Sequence, residues 1–192
     1  MPSSADPLEA ALARAASLVH DAIAALDPAG PPPIVLIDGR SGAGKTTLAA
    51  RLREGWSGEV GVIGLDEIYP GWDGLAEGAE IVRASILEPL TGGREARWRR
   101  WDWARSRPGA EVVTPPGTPL IIEGSGVLTP ASAALAPVRV WLEAPADTRR
   151  ERALARDGDT YRPHWDRWAV QEERHLRRDD PRSLATIVVD VP

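Results

Sequence analysis

A single stretch near the start of the chain constrains the fold more than any other feature. Residues 34–53 read IVLIDGRSGAGKTTLAARLR, which is a short apolar run, a glycine-rich loop and then a helical pattern that begins at Lys45. An apolar run this short, bounded by turn residues, predicts a buried strand. A buried strand that leads directly into a helix is typical of a parallel sheet covered by helices on both faces.

The glycine-rich loop matches the pattern G-x-x-x-x-G-K-[ST] at Gly39, Gly44, Lys45 and Thr46. Glycines allow successive backbone N–H groups to face an anion, and the start of the helix adds partial positive charge. In loops of this type the lysine contacts the β- and γ-phosphates, and the hydroxyl after it binds Mg²⁺. Lys45 is also the only lysine of the chain. The sequence therefore predicts a site for ATP and Mg²⁺, in which these residues contact the nucleotide: Gly39, Ser41, Gly42, Ala43, Gly44, Lys45, Thr46 and Thr47.

Apolar and helical patterns alternate along the rest of the chain. Further strands are predicted from the apolar runs at 60–66, 119–124, 138–144 and 185–190. Helices are predicted at 45–53, 76–90, 147–156 and 165–178, and another follows Asp6 and Pro7, which are a suitable N-cap and first helical residue. We expect an α/β, three-layer fold, with a five-stranded parallel sheet, helices on both of its faces and the strand before the loop at its centre.

The chain of 192 residues is expected to form one domain over 1–192. Within it we expect an N-terminal helix in 1–28 and a lid at 147–163. The segment 91–118 interrupts the alternation of strands and helices, and we expect it to be a hairpin insert on the substrate side.

Two acidic residues end predicted strands. Asp66 follows the second strand and Glu123 follows the third. Because α/β sheets bind ligands at the carboxyl ends of their strands, both side chains are expected beside the phosphate loop. There Asp66 is a candidate general base for an attacking hydroxyl, and Asp66, Glu123 and Thr46 are candidate metal ligands. A turn or helix-capping aspartate and an ordinary strand-end glutamate are the open alternatives.

Arginines are concentrated between residues 149 and 156. A mobile lid that carries arginines stabilises the charge on a phosphoryl group during transfer. We therefore treat Arg152 and Arg156 as candidate catalytic residues. The alternative is the solvated face of an amphipathic helix.

Residues 97–107, RWRRWDWARSR, interleave five arginines with three tryptophans. Such a pattern is also found where proteins bind single-stranded nucleic acid. The whole chain, however, has a net charge of −5, whereas nucleic-acid-binding domains are usually basic. We expect a pocket insert in which Trp101 and Trp103 share one face of a strand and Asp102 lies on the other. A structural hairpin with its tryptophans in the core is the alternative.

Taken in order, the segments GRSGAGKTT, LDEIY, WDW, IIEG and DTRRERALARD resemble the motifs of uridine kinases and of the related nucleoside kinases, pantothenate kinases and phosphoribulokinases. The resemblance covers about residues 34–175. It implies that Asp66 is the base of a D-x-x-Y motif that includes Tyr69, and that Glu123 serves the metal. It also implies an aromatic acceptor pocket and an arginine lid, made of Trp101, Asp102, Trp103, Arg149, Arg152, Arg156 and Arg162. Trp72, in the same GLDEIYPGW stretch as Asp66, is a further expected substrate contact.

The chain departs from uridine kinases after the aromatic element. Those kinases continue with a His and an Arg, where this chain has Ser106 and, one residue out of register, Arg107. The resemblance therefore implies phosphorylation of a hydroxyl more than it implies a pyrimidine nucleoside as acceptor.

The expected activity is Mg²⁺-dependent transfer of the γ-phosphoryl group of ATP to a hydroxyl of a small molecule, for which a nucleoside is one candidate. One alternative is a nucleotide kinase whose acceptor is a phosphate, with Arg83, Arg97 and Arg99 available to bind that phosphate. Another alternative is an ATP-binding switch or assembly protein that is not a kinase.

The chain has no cysteine, no apolar run long enough for a membrane span and no signal-peptide pattern at its start. We therefore expect a cytoplasmic protein whose partner is a small-molecule substrate, not a nucleic acid or a membrane. The sequence supports no expectation about the oligomeric state.

Overall fold

The computed structural model describes residues 6–192, so the first five residues of the predicted segment 1–28 lie outside it. In chain order the strands of this part are β1 (Ile34–Gly39), β2 (Gly61–Gly64), β3 (Ala96–Asp102), β4 (Arg107–Thr114), β5 (Leu120–Glu123), β6 (Val138–Glu143) and β7 (Ile187–Asp190). Five of them form one sheet in the order β2–β5–β1–β6–β7, and every neighbouring pair is parallel. The predicted five-stranded parallel sheet with β1 at its centre is confirmed.

Helices connect the strands of the sheet. They are α1 (Pro7–Ala24), α2 (Lys45–Glu54), α3 (Leu75–Ile81), α4 (Glu88–Thr91), α5 (Pro130–Ala133), α6 (Ala146–Tyr161), α7 (Trp165–Asp179) and α8 (Pro181–Leu184). A π-helical segment, Val82–Leu87, joins α3 to α4, so one helical stretch runs close to the bounds predicted for it.

Side chains of β1 alternate between two hydrophobic cores. Ile34 and Leu36 pack into the core shared with β2, α3 and the aromatic residues of α7. Val35 and Ile37 pack into the core shared with α1 and α2. All four side chains are buried, as expected for a strand covered on both faces. The three-layer arrangement therefore follows from the apolar run itself.

The register of the sheet brings three strand ends together. Ile37 of β1 and Gly64 of β2 both lie opposite Glu123 of β5. The glycine-rich loop after β1, the turn after β2 and the end of β5 therefore share one edge. This is the edge at which parallel α/β sheets bind ligands.

The predicted insert 91–118 contains the antiparallel hairpin of β3 and β4. Ala96 and Trp98 point into the core, while Arg97 and Arg99 are exposed, so the first half of β3 alternates regularly. The pairing then shifts register between Arg99 and Trp101. This irregularity changes where the tryptophans that follow it lie.

Most predicted boundaries lie within one or two residues of the observed ones, and two of the differences have a clear structural cause. β2 ends at Gly64, two residues before the predicted limit, because Leu65–Glu67 form a 3₁₀ turn. The predicted helix 147–156 instead extends from Ala146 to Tyr161, with a non-helical backbone at Gly158, where φ is 53° and ψ is −132°. Glycine tolerates this positive φ without the steric cost of a Cβ atom.

None of the helices within residues 6–192 is both long and apolar enough to cross a membrane.

Candidate active site

A cleft of about 840 Å³ lies at the carboxyl edge of the sheet. Most of the residues predicted to bind or react with substrate line it, namely Ser41, Gly42, Gly44, Lys45, Thr46, Thr47, Asp66, Tyr69, Trp72, Trp103, Glu123, Arg152 and Arg156. Six residues named in the sequence analysis are not part of its lining, namely Gly39, Ala43, Trp101, Asp102, Arg149 and Arg162. The structure thus gathers residues from the loop, both acidic strand ends, the hairpin and the lid helix around one space.

The glycine-rich loop has the backbone geometry of an anion site. Gly42 and Gly44 have positive φ angles of 83° and 99°, which residues with a side chain adopt at a cost. Gly44 is also the N-cap of α2, and the first N–H groups of a helix have no acceptor within the helix. A side chain at Gly42 would lie 2.0 Å from the carbonyl oxygen of Arg149, so only glycine fits.

The backbone N–H groups of two loop residues are bonded to other atoms of the protein. The N–H of Ser41 donates to Oε1 of Glu172 at 2.7 Å, and the N–H of Ala43 donates to the carbonyl oxygen of Arg40 at 3.1 Å. Ala43 is fully buried in the core. Of the predicted nucleotide contacts, the amides of these two residues are therefore already occupied.

Lys45 is held in the floor of the cleft. Its Nζ donates to the carbonyl oxygen of Arg40 at 3.2 Å and to Oγ of Ser125 at 3.3 Å. Burial lowers the pKa of the Lys45 ammonium, and the nearby carboxylates of Glu123 and Glu172 oppose that shift. Burial is the larger effect, so the pKa of Lys45 is lowered overall, and the nearby carboxylates only partly offset it.

Thr46, Glu123 and Asp66 form a group of oxygen ligands beside Lys45. The Thr46 hydroxyl donates to Oε1 of Glu123 at 2.9 Å. A Cβ atom placed on Gly64 would lie 2.4 Å from Oδ1 of Asp66 and 3.5 Å from Oε1 of Glu123, so both carboxylates flank that glycine. Burial raises the pKa of Glu123, and Lys45 opposes the shift.

This group suits a magnesium ion that is bound mainly by nucleotide phosphates. Among residues 6–192, no cluster of three or more His, Cys, Asp and Glu side chains could hold a metal ion by protein ligands alone. Mg²⁺ at phosphoryl-transfer sites is usually bound by one or two carboxylates together with substrate phosphates and water. A hydroxyl and two nearby carboxylates fit that pattern.

Helix α6, which contains most of the predicted lid, presents two arginines to the cleft. Nη1 of Arg152 is buried and has no hydrogen-bond partner within the described part of the chain. Arg156 is paired with Asp157, 2.7 Å from one carboxylate oxygen, and this pairing raises the pKa of its guanidinium. Both residues line the same cleft as the phosphate loop, and Nη2 of Arg152 also donates to the carbonyl oxygen of Pro192.

Arg149 does not act as a lid arginine in this structure. It is buried, and it donates to the carbonyl oxygens of Ala144 at 3.0 Å and Ser41 at 3.3 Å. The implied role therefore has to be corrected: these contacts fix the guanidinium under the loop. Arg162 is likewise outside the cleft and lies 3.6 Å from the exposed carboxylate of Asp159.

Tryptophans form the wall of the cleft opposite the loop. Trp72 stacks on His164, with ring centroids 4.1 Å apart and planes 13° from parallel. It also contacts Trp103, at 5.0 Å between centroids, and Tyr161, at 5.6 Å. Nε1 of Trp103 donates to the backbone oxygen of Asp66 at 2.8 Å, which attaches the hairpin to the turn of the candidate base.

The predicted pair Trp101 and Trp103 is separated, because the register shift in β3 and the turn after Asp102 send them to different places. Trp103 lines the cleft, whereas Trp101 lies near Gly71 outside it. The carboxylate of Asp102 accepts hydrogen bonds from Arg105 and closes the hairpin turn. Trp101 and Asp102 therefore do not form the pocket that the sequence predicts.

Some residues at the cleft were missed by the sequence analysis. Tyr161 donates to Oγ of Ser41 at 2.9 Å, and burial raises the pKa of its phenol. Ser125 contacts Lys45, and Glu172 accepts from both Ser41 and Ser125. Glu172 carries no clear signal of this role in the sequence, because charged residues surround it along the chain, although it is buried on the same face of α7 as Trp168 and His175.

Comparison with known proteins supports the fold. No family model and no curated protein matches the sequence. A possible uridine kinase from Bacillus stearothermophilus is similar in structure, with a TM-score of 0.64, 20% identity and coverage of 94% of this chain and 98% of that one. A candidate fructose transport system kinase from Silicibacter sp. has a TM-score of 0.56 and 21% identity, over 90% of this chain and 97% of that one. A D-glycerate 3-kinase from Cryptococcus neoformans has a TM-score of 0.50 and 12% identity, over 78% of each chain. The chain has the fold of these P-loop kinases.

Proposed function

We propose that this protein is a kinase that transfers the γ-phosphoryl group of ATP to a hydroxyl of a small, uncharged, ring-bearing molecule. One observation carries the proposal: Lys45 of the phosphate loop, the carboxylate of Asp66 and the aromatic wall line the same cleft. The loop would bind the phosphates of ATP, Asp66 would accept the proton of the attacking hydroxyl, and the aromatic wall would bind the acceptor.

The donor side fits a nucleoside triphosphate. The free N–H groups at the start of α2 and the ammonium of Lys45 offer a cradle for phosphate oxygens. Nη1 of Arg152 is buried and has no hydrogen-bond partner in the described part of the chain. A buried donor without a partner destabilises the protein, so this atom supports the proposal that an anionic ligand binds here and accepts its hydrogen bond. Bound Mg²⁺ would neutralise charge on the phosphates, and Thr46, Glu123 and Asp66 are the residues that would hold it.

Asp66 is proposed to accept the proton of the attacking hydroxyl. The freed oxygen forms a bond to the γ-phosphorus while the bond from that phosphorus to the bridging oxygen breaks, and ADP leaves with the electron pair. Arg156 faces the same cleft and stabilises the charge on the transferring group. Lys45 does so from the loop, since it is fixed by two hydrogen bonds before any ligand arrives.

A hydroxyl acceptor is favoured over a phosphate acceptor. The three arginines that a nucleotide kinase would need are engaged elsewhere: Arg83 with Glu80 and Glu88, Arg97 with Glu95 and Glu111, and Arg99 with the carbonyl oxygen of Gly109. None of them lines the cleft. The names of two similar structures mention uridine and D-glycerate, and both compounds carry hydroxyl groups.

The aromatic wall favours a flat acceptor. Trp72 and Trp103 lie beside Asp66, and stacking on an aromatic side chain contributes about 1–3 kcal/mol for a nucleobase. The charged residues that line the cleft belong to the loop, to α6 or to the two acidic strand ends, all of which are assigned to the phosphates, the metal or the proton. We therefore expect the acceptor itself to be uncharged.

An acceptor screen tests this function. The purified protein is incubated with ATP, Mg²⁺ and one compound at a time, from a panel of nucleosides, sugars, vitamins and nucleoside monophosphates, and ADP release is measured. We expect release that depends on a neutral hydroxyl compound. Release that depends only on a monophosphate would favour a nucleotide kinase, and release independent of every acceptor would favour an ATP-binding switch.

A further inference from the structure

One residue of the phosphate loop, Ser41, is held by buried charged side chains through both of its backbone polar groups. The N–H of Ser41 donates to Glu172 at 2.7 Å, and its carbonyl oxygen accepts from Nη1 of Arg149 at 3.3 Å. Glu172 is only 3% exposed and Arg149 only 5%. Burying charged groups is expensive unless they are paired and hydrogen-bonded, so their place beneath the loop needs an explanation.

Glu172, on α7, connects several parts of the site. Its Oε2 accepts from Nε of Arg40 at 3.1 Å, and its Oε1 also accepts from Oγ of Ser125 at 3.1 Å. The same Oγ lies 3.3 Å from Nζ of Lys45. A single carboxylate therefore restrains the loop backbone and, through Ser125, the position of the lysine.

Arg149, on α6, acts on the loop from the opposite side. Its Nε donates to the carbonyl oxygen of Ala144 at 3.0 Å, which fixes the guanidinium at the start of α6. Its own carbonyl oxygen occupies the space into which a side chain at Gly42 would extend. The middle of the loop is thus clamped between two helices that lie far from it in sequence.

A carboxylate beside a phosphate loop opposes nucleotide binding if only charge is considered. Its benefit has to be geometric: it keeps the N–H of Ser41 turned into the protein. A glycine-rich loop has many accessible backbone conformations, and ordering it at the moment of binding reduces affinity. A loop that is already ordered avoids this loss.

We propose that Glu172 and Arg149 are positioning residues that hold the backbone N–H and C=O of Ser41 and so preorganise the loop for ATP. This inference rests on the proposed function, because it assumes that the loop binds a nucleotide. Neither residue lines the cleft, so neither is expected to touch the substrate. Their effect should therefore appear in nucleotide affinity and leave acceptor affinity unchanged.

The test uses two substitutions, each with a neighbouring control. Glu172→Gln keeps the shape of the side chain and removes its charge. Glu173→Gln is its control, because Glu173 also contacts Arg40, at 3.4 Å, but is 45% exposed. Arg149→Lys removes the planar fork, and Arg150→Lys, at an exposed position of the same helix, is its control. The dissociation constant of a non-hydrolysable ATP analogue with Mg²⁺ is measured by calorimetry, and KM for the acceptor and the melting temperature are measured alongside.

We expect Glu172→Gln and Arg149→Lys each to weaken analogue binding about tenfold, as for a lost charge-assisted hydrogen bond, with the KM for the acceptor and both controls within about twofold of wild type. Unchanged analogue binding in folded Glu172→Gln and Arg149→Lys would overturn the inference, and so would an equal loss of acceptor and nucleotide affinity. If Glu172→Gln does not fold, the comparison of analogue binding by Arg149→Lys and Arg150→Lys alone tests the inference. Failure of the wild-type protein to bind the analogue would instead overturn the proposed function, so the two failures are distinguishable.

Discussion

Lys45 is buried and lies near several carboxylates. Its ammonium contacts one backbone oxygen and one hydroxyl, so it keeps donor capacity for a phosphate. The carboxylates of Glu123 and Glu172 hold it in place electrostatically. A residue fixed in this way can act on the transition state without reorganising.

We predict that Lys45→Ala removes about 3–5 kcal/mol of transition-state stabilisation, because no other lysine exists to replace its charge. Lys45→Arg should not restore activity, since a planar guanidinium is wider than a compact ammonium. The check is kcat/KM for ATP in both variants. Near wild-type turnover in either of them would show that the loop does not bind the reacting phosphates.

Asp66 should affect a different kinetic parameter. Replacing it by Asn keeps the shape and removes the proton acceptor, so we predict a fall in kcat of about 10²–10⁴-fold with nearly unchanged ATP affinity. Glu67→Gln is the control, because Glu67 lies in the same turn but pairs with Arg100 at 2.7 Å. If Asp66→Asn turns over as fast as Glu67→Gln, Asp66 is not the base.

At the level of single residues, the sequence located the loop, the base candidate and the metal candidates because each belongs to a short local motif. It could not locate Glu172, which meets Ser41 only after the chain has folded. Within its helix, Glu172 is surrounded in sequence by charged residues and looks like part of a solvated face.

The hairpin is the element whose placement differed most from expectation. Its existence followed from an interrupted strand–helix alternation, but the register shift after Arg99 has no signature in the residue types. The shift leaves Trp101 outside the cleft and brings Trp103 to the backbone of Asp66.

We therefore predict that Trp72→Ala raises the KM for the acceptor about tenfold or more, since the stacking surface is lost, while the KM for ATP stays close to wild type. Trp101→Ala serves as the matched control and should leave the acceptor KM within about twofold. Steady-state kinetics with each substrate varied in turn gives both values. An equal effect of the two substitutions would contradict the observed placement of the wall.

Helix α7 is also attached to β1 through a buried histidine. Nε2 of His175 lies 3.1 Å from Oδ2 of Asp38, and Nδ1 lies 2.8 Å from Oδ2 of Asp179. Burial lowers the pKa of His175, but the two aspartates outweigh burial and the net pKa is raised. The protonated form is therefore the one that the folded state favours.

This sign fixes a pH dependence of stability. A raised folded-state pKa stabilises the protein fully below the unfolded value, about 6.5, and the contribution is lost as pH rises through the folded-state pKa. We predict that the wild type exceeds His175→Asn in free energy of unfolding by more at pH 6 than at pH 9, as measured by urea denaturation. An equal difference at both pH values would show that the charge of His175 does not matter.

On the scale of the whole molecule, the fold followed from repeated local patterns. Buried apolar runs, helices between them and a loop after the first run are enough to specify a parallel sheet and its ligand-binding edge. The order of the strands beyond the central one, and the contacts of α6 and α7 with the loop, depend on packing between distant segments. Those contacts decide which arginines reach the cleft. Arg149, which the resemblance placed among the lid arginines, instead lies beneath the loop.

Tracing the γ-phosphoryl group of ATP distinguishes a kinase from an ATP-hydrolysing protein. The protein is supplied with Mg²⁺, with ATP that carries ¹⁸O in its γ-phosphoryl group and with the neutral acceptor that gives the fastest ADP release, and the labelled product is identified by mass spectrometry and ³¹P NMR. We expect the label to appear as a phosphate ester on an acceptor hydroxyl, at the same rate as ADP, and we expect Lys45→Ala to abolish it. Label found only as inorganic phosphate, at a rate that is the same with and without acceptor, would contradict the account.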